Sequence, residues 1–221
     1  MSRYFNVVFE HDYYEIVEVD NRYVRSVLNN YKQILISIDV SRSEICEDIA
    51  YLQEKCTAEQ SGSIGSKRLE ASPPSRTNDV SDPVSNTAEQ LEKYRARIDA
   101  QLANLKYYNV MEERVRGIKN IFTKLSLVFP LHYRVVYETF FCHHTQDEVR
   151  TKLRYAKVTI KTMQDNMTQI ITDICNIHKP IEDINRMSPE MIAQIVSEMD
   201  AEIYNKMIKI EEESDKNDNW D

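Results

Sequence analysis

Glycine, proline and a cysteine framework are what this 221-residue sequence has little of. Three glycines and six prolines leave few positions for tight turns. The four cysteines are scattered, without the spacing of a disulfide framework. No stretch approaches the ~18 apolar residues that a membrane helix needs, and no signal peptide is recognisable. These absences predict an all-α, reduced and cytoplasmic protein that has no membrane partner.

Residue patterns that carry catalysis are also scarce. Three glycines can hardly form the Gly-rich loop that cradles a phosphate or a dinucleotide. Paired acids such as Asp147 and Glu148 lie at predicted helix starts, where they offset the helix dipole. We therefore expect that the chain is not an enzyme, needs no cofactor and binds no small-molecule substrate.

One group of residues has the chemistry of a metal site, because cysteine and histidine suit zinc. Its members are Cys142, His143 and His144 in one place and Cys175 and His178 in another. The two places lie at opposite ends of a predicted helix of ~33 Å, so a shared ion would require an unusual bend. The alternative is that both cysteines are small core residues, and on this balance we expect no metal.

The net charge of −8 is unevenly distributed along the sequence. Residues 110–179 carry 11 basic and 7 acidic residues, whereas residues 180–221 carry 4 basic and 12 acidic ones. DNA affinity rests largely on neutralised phosphates, and a local positive excess is its minimum requirement. The segment 110–179 meets that requirement, although an excess of this size also occurs as ordinary surface scatter.

The periodicity of apolar residues divides the chain into five segments. Two long helices are predicted on either side of a Ser-, Gly- and Pro-rich stretch. Their lengths suit an antiparallel hairpin, and a dimerising coiled coil is the alternative, which leaves a homodimer open. The segments are 1–57, an amino-terminal segment with a long helix; 58–87, a flexible loop; 88–126, the second long helix; 127–178, a three-helix unit; and 179–221, a carboxy-terminal helix with an acidic tail.

The best-defined pattern is a helix start at Thr145. Thr145 offers a side-chain oxygen three residues ahead of Glu148, which is the capping box that satisfies the free N–H groups of a helix start. The chain must turn again near Ala156, after which a longer helix begins. The buried face of that helix is predicted to be Ile160, Met163, Met167, Ile170 and Ile174. Together with the aromatic-rich helix before Thr145, this gives three helices with a short one second, the helix-turn-helix plan.

These residues resemble the fourth domain of bacterial sigma factors, and more closely the sigma-factor-like late-gene regulators of phages of Gram-positive bacteria, the ArpU/RinA type. The family pattern runs from an aromatic-rich helix through T-x-x-E-[IV]-A, a leucine and a turn glycine to T-[VI]-[KR]. The residues that match it are Thr145, Glu148, Val149, Leu153, Thr159, Ile160 and Lys161. Arg150 departs from the pattern in place of alanine, Arg154 in place of the turn glycine, and Ala156 in place of serine.

The resemblance implies a long helical hairpin followed by a three-helix helix-turn-helix unit, to which this chain adds a carboxy-terminal helix. Helix-turn-helix proteins place the third helix in the major groove, with its first residues at base edges. The predicted DNA-binding residues are Arg150, Lys152, Arg154, Lys157, Thr159, Lys161, Thr162 and Gln164. Gln164 would be exposed and pair with adenine, and Lys161 would contact guanine or a phosphate. The first three residues of the set would lie near the DNA backbone.

Two functional hypotheses follow. The first is a sequence-specific DNA-binding transcription regulator of phage or mobile-element type, which binds double-stranded DNA and, as its sigma-like relatives do, RNA polymerase. The second is a helical protein-interaction module, an adaptor or inhibitor of a host protein, whose helix-turn-helix is degenerate. The acidic flanks, Arg154 in the turn and a methionine-rich stripe over residues 191–207 are consistent with the second hypothesis.

Overall fold

The computed structural model describes residues 19–64, 83–176 and 186–218, without the side chains of residues 62–64, 83–86, 157 and 214–218. Within these ranges the chain is helical and has no strand, which confirms the predicted all-α class. The predictions for residues 1–18 and for the middle of the loop at 65–82 lie outside the described residues. The described helices are α1 (Asn21–Asn29), α2 (Tyr31–Ile64), α3 (Pro83–Leu125), α4 (Pro130–Val136), a π-helical turn (Tyr137–Phe141), α5 (Gln146–Leu153), α6 (Lys157–Cys175), α7 (Pro189–Met199) and α8 (Ala201–Asp218).

Several helix ends differ from the sequence prediction. The first long helix is divided at Asn30, whose side-chain amide donates to the carbonyl oxygen of Ser26 at 3.1 Å, and α2 then continues to Ile64. The carboxy-terminal helix is divided at Asp200, whose carboxylate accepts from the N–H of Ile203 at 2.9 Å. The stretch 211–218, predicted as an acidic tail, continues α8 as helix. No helix in the described ranges is long and apolar enough to cross a membrane.

The chain forms two compact units, of which one comprises residues 36–111. In this unit α2 buries Ile38, Ile45 and Leu52. The side-chain amide of Gln101 on α3 donates to Asp48 on α2 at 3.0 Å, so the two helices are in contact. An antiparallel hairpin of these helices stays a prediction.

The other unit comprises residues 1–35 and 112–221 and contains the main core. Six helices and the loop after α3 contribute side chains that are at most a few per cent exposed. These include Val24 and Leu28 of α1, Ile118 and Phe122 of α3, Phe129 of the loop, Met167 and Ile171 of α6, Ile192 of α7 and Met207 of α8. The methionine stripe is only partly a core face, because Met191 and Met199 are about half exposed, at 52% and 44%. α6 lies in the middle of this unit and contacts α1, α4, α5, α7 and α8.

The π-helical turn Tyr137–Phe141 continues α4 and aligns aromatic side chains. Tyr133, Tyr137 and Phe141 follow one another at four-residue intervals, and an α-helix of 3.6 residues per turn would rotate each by about 40° from the last. The wider π-helical turn changes this rotation between Tyr137 and Phe141. The rings stack at centroid distances of 5.9 and 5.5 Å, and Phe122 of α3 stacks on Tyr133 at 4.5 Å. This stacking holds α4 and the π-helical turn against α3, ahead of α5.

Candidate nucleic-acid interface

The predicted capping box at the start of α5 is present. The hydroxyl of Thr145 accepts from the N–H of Glu148 at 3.3 Å, and the N–H of Thr145 donates to the carboxylate of Glu148 at 2.6 Å. The hydrogen bond from the Thr145 N–H is the main reason why the pKa of Glu148 lies below its usual value. α5 therefore starts where the sequence predicts it.

Glu138 of the π-helical turn forms an ion pair with Lys152 of α5. The ammonium of Lys152 donates to one carboxylate oxygen of Glu138 at 2.6 Å, and Nδ1 of His144 lies 2.8 Å from the other. The Glu138 side chain is only 12% exposed, and its hydrogen bond with Lys152, followed by that with His144, holds its pKa below the usual value. The predicted DNA contact Lys152 is thus already engaged within the protein, although its side chain is 48% exposed.

The turn between α5 and α6 has the backbone conformation that the family pattern assigns to glycine. Arg154 adopts φ 59° and ψ 28°, in the left-handed region. A non-glycine residue there costs on the order of 1–2 kcal/mol, because its Cβ approaches the backbone. α6 then begins at Lys157, directly after Ala156, as predicted.

The first half of α6 has a buried side and an open side. All five residues of the predicted inner stripe are at most 2% exposed, which confirms that prediction. Val158 is 77% exposed, Lys161 is exposed and Thr162 is partly exposed. Lys161 and Thr162 lie one turn after Val158, on the same face of the helix. We call them the outer face of α6.

Gln164 corrects the prediction that it is exposed. Its side chain is 4% exposed, and its carbonyl oxygen accepts from the side-chain amide of Gln146 on α5 at 3.0 Å. Gln164 lies one turn after the buried Ile160, on the side of α6 that α5 covers. In this position it cannot pair with a base.

The remaining predicted contacts are spread over α5, the turn and the start of α6. Arg150, Lys152 and Arg154 are exposed, and we call them the basic rim. Thr159 is partly exposed. The side chain of Lys157 lies outside the described atoms.

The second half of α6 is covered by α1, through contacts that the sequence did not predict. Arg25 of α1 forms an ion pair with Asp165. Asn21 bonds Gln169 and accepts from the hydroxyl of Thr172 at 2.7 Å. The outward side of α6 is therefore open over its first two turns and only partly open at Asp165, whose side chain is 46% exposed.

The start of α4 is held by a residue of α8. The N–H groups of Leu131 and His132 each donate to the carboxylate of Glu211 at 3.0 Å, and Nδ1 of His132 lies 2.7 Å from the same group. Phe129 stands at the N-cap position and offers no side-chain acceptor. Ile210, the residue before Glu211, packs against the buried cluster that contains Ile160 of α6. α8 therefore contacts the three-helix region through both residues.

The cysteines and histidines considered as zinc ligands do not form a metal group where they are described. Cys142 is exposed, and His144 is bonded to Glu138. Burial raises the pKa of the Cys175 thiol to about 12, which disfavours the thiolate that metals bind. His178 lies outside the described residues, and among the others no three potential ligands come together.

The outer face of α6 and the basic rim together form the candidate interface. Lysine and arginine side chains can contact phosphates, and a helix face of threonine, lysine and valine can contact base edges.

No protein-family model, no curated protein and no solved structure matches the chain.

Proposed function

We propose that this chain is a sequence-specific DNA-binding transcription regulator of phage or mobile-element type, which reads the major groove with the first two turns of α6. The observation that carries the proposal is the outer face of α6, which is open on a helix whose opposite side is buried. The basic rim stands next to it, at the start of the helix. The resemblance to sigma-like phage regulators suggests the class of function.

Five side chains of the interface have a role in this proposal, whereas Lys152 is bound to Glu138. Lys161 donates to guanine or to a phosphate, and the hydroxyl of Thr162 can bond either kind of base pair. Val158 offers a methyl contact to thymine. Arg150 and Arg154 contact the backbone and position the helix. Gln164 has no part in it, because it is buried.

The test is a selection of duplexes from a random-sequence pool, followed by fluorescence anisotropy at several salt concentrations. We expect the double variant Lys161→Ala, Arg154→Ala to lose on the order of 100-fold in affinity, because a base contact contributes about 1–3 kcal/mol and a phosphate contact adds to it. Lys93→Ala, a matched loss of an exposed charge in the other unit, should bind as the wild type does. No binding at low salt, or equal binding by the double variant, would remove the proposal.

A helical protein-interaction module is the second candidate, and the acid Asp165 next to the outer face favours it. In that case the chain is an adaptor or an inhibitor of a host protein, and the interface of α6 contacts that protein instead of DNA. Recovery of one stoichiometric protein partner in a nuclease-insensitive pull-down would support it.

RNA polymerase and a second copy of the chain are the further partners that the resemblance and the long helices suggest. Binding of purified polymerase in the presence and absence of the selected duplex tests the first. The mass of the protein in solution tests the second.

A further inference from the structure

α1 places two arginines beside the outer face of α6. Arg22 and Arg25 lie one turn apart on the polar face of α1, whose other face is buried through Val24, Val27 and Leu28. The contacts of Arg25 with Asp165 and of Asn21 with Gln169 hold this polar face against α6. The two arginines are thus fixed in position by a helix instead of by a loop.

Asp165 extends the outer face of α6 by one turn and would by itself repel a phosphate. The guanidinium of Arg25 compensates this charge, and both side chains remain partly exposed, at 40% and 46%. Arg22, which is exposed, adds a positive charge that the pair does not cancel. A groove of about 420 Å³ opens here, lined by Asn21, Arg22, Arg25, Asp165, Asn166, Gln169 and, from α8, Ile203.

The spacing along α6 matches the dimensions of DNA. The basic rim ends at the start of α6, and Asp165 lies eight residues into the helix, which is ~12 Å at 1.5 Å per residue. The major groove of B-DNA is also ~12 Å wide. A helix whose axis crosses the groove would therefore bring the rim to one phosphate backbone and the α1 arginines to the other.

We propose that Arg22 and Arg25 form a second phosphate-binding site, which contacts the DNA strand across the groove from the basic rim. This inference rests on the proposed function and adds α1 to the DNA-binding surface. Arg22 supplies the phosphate contact, and Arg25 both donates to the phosphate and neutralises Asp165. Neither residue reads sequence.

The experiment measures the salt dependence of binding between 50 and 300 mM for the selected duplex. The slope of log Kd against log salt should become shallower by about 0.9 in Arg22→Gln, because one phosphate contact is lost, with the sequence preference unchanged. Arg22→Lys should keep the wild-type slope, and Arg134→Gln, an exposed arginine on α4, should also leave it unchanged. Asp165→Asn should tighten binding a few-fold.

The outcomes separate this inference from the proposed function. A wild-type slope in Arg22→Gln, with DNA binding otherwise intact, overturns the second site and leaves the regulator proposal standing. No binding of any duplex by the wild-type chain at 50 mM salt overturns both. A thermal unfolding curve of each variant that coincides with that of the wild type excludes misfolding as the cause of a loss.

Discussion

The helices α4 and α5 are close along the chain, yet their starts are satisfied in opposite ways. α5 is capped by its own residues, since Thr145 and Glu148 are three positions apart. α4 has Phe129 at its N-cap position and depends on Glu211, which is 79 residues beyond His132. A helix start needs acceptors for its free N–H groups, and these can come from the adjacent sequence or from anywhere the fold brings near. A local cap adds to the stability of one helix, whereas a remote cap also joins two helices.

The largest effect is expected from removal of the remote cap. Glu211→Ala should lower the free energy of unfolding by about 3 kcal/mol, because two N–H groups and the buried His132 lose a charged acceptor. Urea unfolding followed by circular dichroism measures this. Glu212→Ala, a change in the neighbouring exposed residue, should stay within about 0.5 kcal/mol of the wild type. A smaller loss for Glu211→Ala than for Thr145→Ala would contradict the comparison.

Removal of the local cap should have a smaller effect. Thr145→Ala is expected to lower the free energy of unfolding by about 1 kcal/mol, because the N–H of Glu148 loses its side-chain acceptor. The same urea experiment measures the loss, and Thr145→Ser should retain most of the stability. An equal loss in the serine variant would show that the methyl group, not the hydroxyl, is important.

The other end of α5 offers a change in the opposite direction. Arg154→Gly should raise the free energy of unfolding by about 1 kcal/mol, because glycine adopts the left-handed conformation at lower cost. Arg154→Ala should give no gain, since alanine keeps the Cβ that causes the cost. A gain in the alanine variant would mean that the arginine side chain, not the backbone conformation, is the source of strain.

The smallest effect is a pH dependence at Glu138, whose partners are six and fourteen residues away. Its folded pKa is lowered from 4.5, mainly by Lys152, so its contribution is present above pH 4.5 and is lost as the pH falls through the folded pKa. We expect the stability difference between wild type and Glu138→Gln to be present at pH 5 and to shrink as the pH falls below 4.5. A difference that persists to pH 3 would exclude this ion pair as its cause.

What the sequence predicted well was local. The capping box at Thr145 depends on residues three apart, and it is present. The buried stripe of α6 also follows from spacing within one helix. The all-α class follows from such signals together with the scarcity of glycine.

What the sequence could not predict depends on which helices become neighbours. The helix-turn-helix plan placed Gln164 among the exposed base contacts of α6, and it is buried because α5 brings Gln146 against it. Likewise, nothing near Asp165 in the sequence indicates that Arg25, 140 residues earlier, lies beside it. A pair of polar residues so far apart has no periodic signal, and only the packed structure reveals it.

The hydrogen bonds between Glu211 and the start of α4 also set an order for folding during synthesis. During translation the N–H groups of Leu131 and His132 leave the ribosome about 80 residues before the carboxylate that satisfies them. At roughly 5–20 residues per second, that interval is about 4–16 s. During it only water can satisfy these N–H groups, so the core around α4 can reach its final form only after α8 has been made.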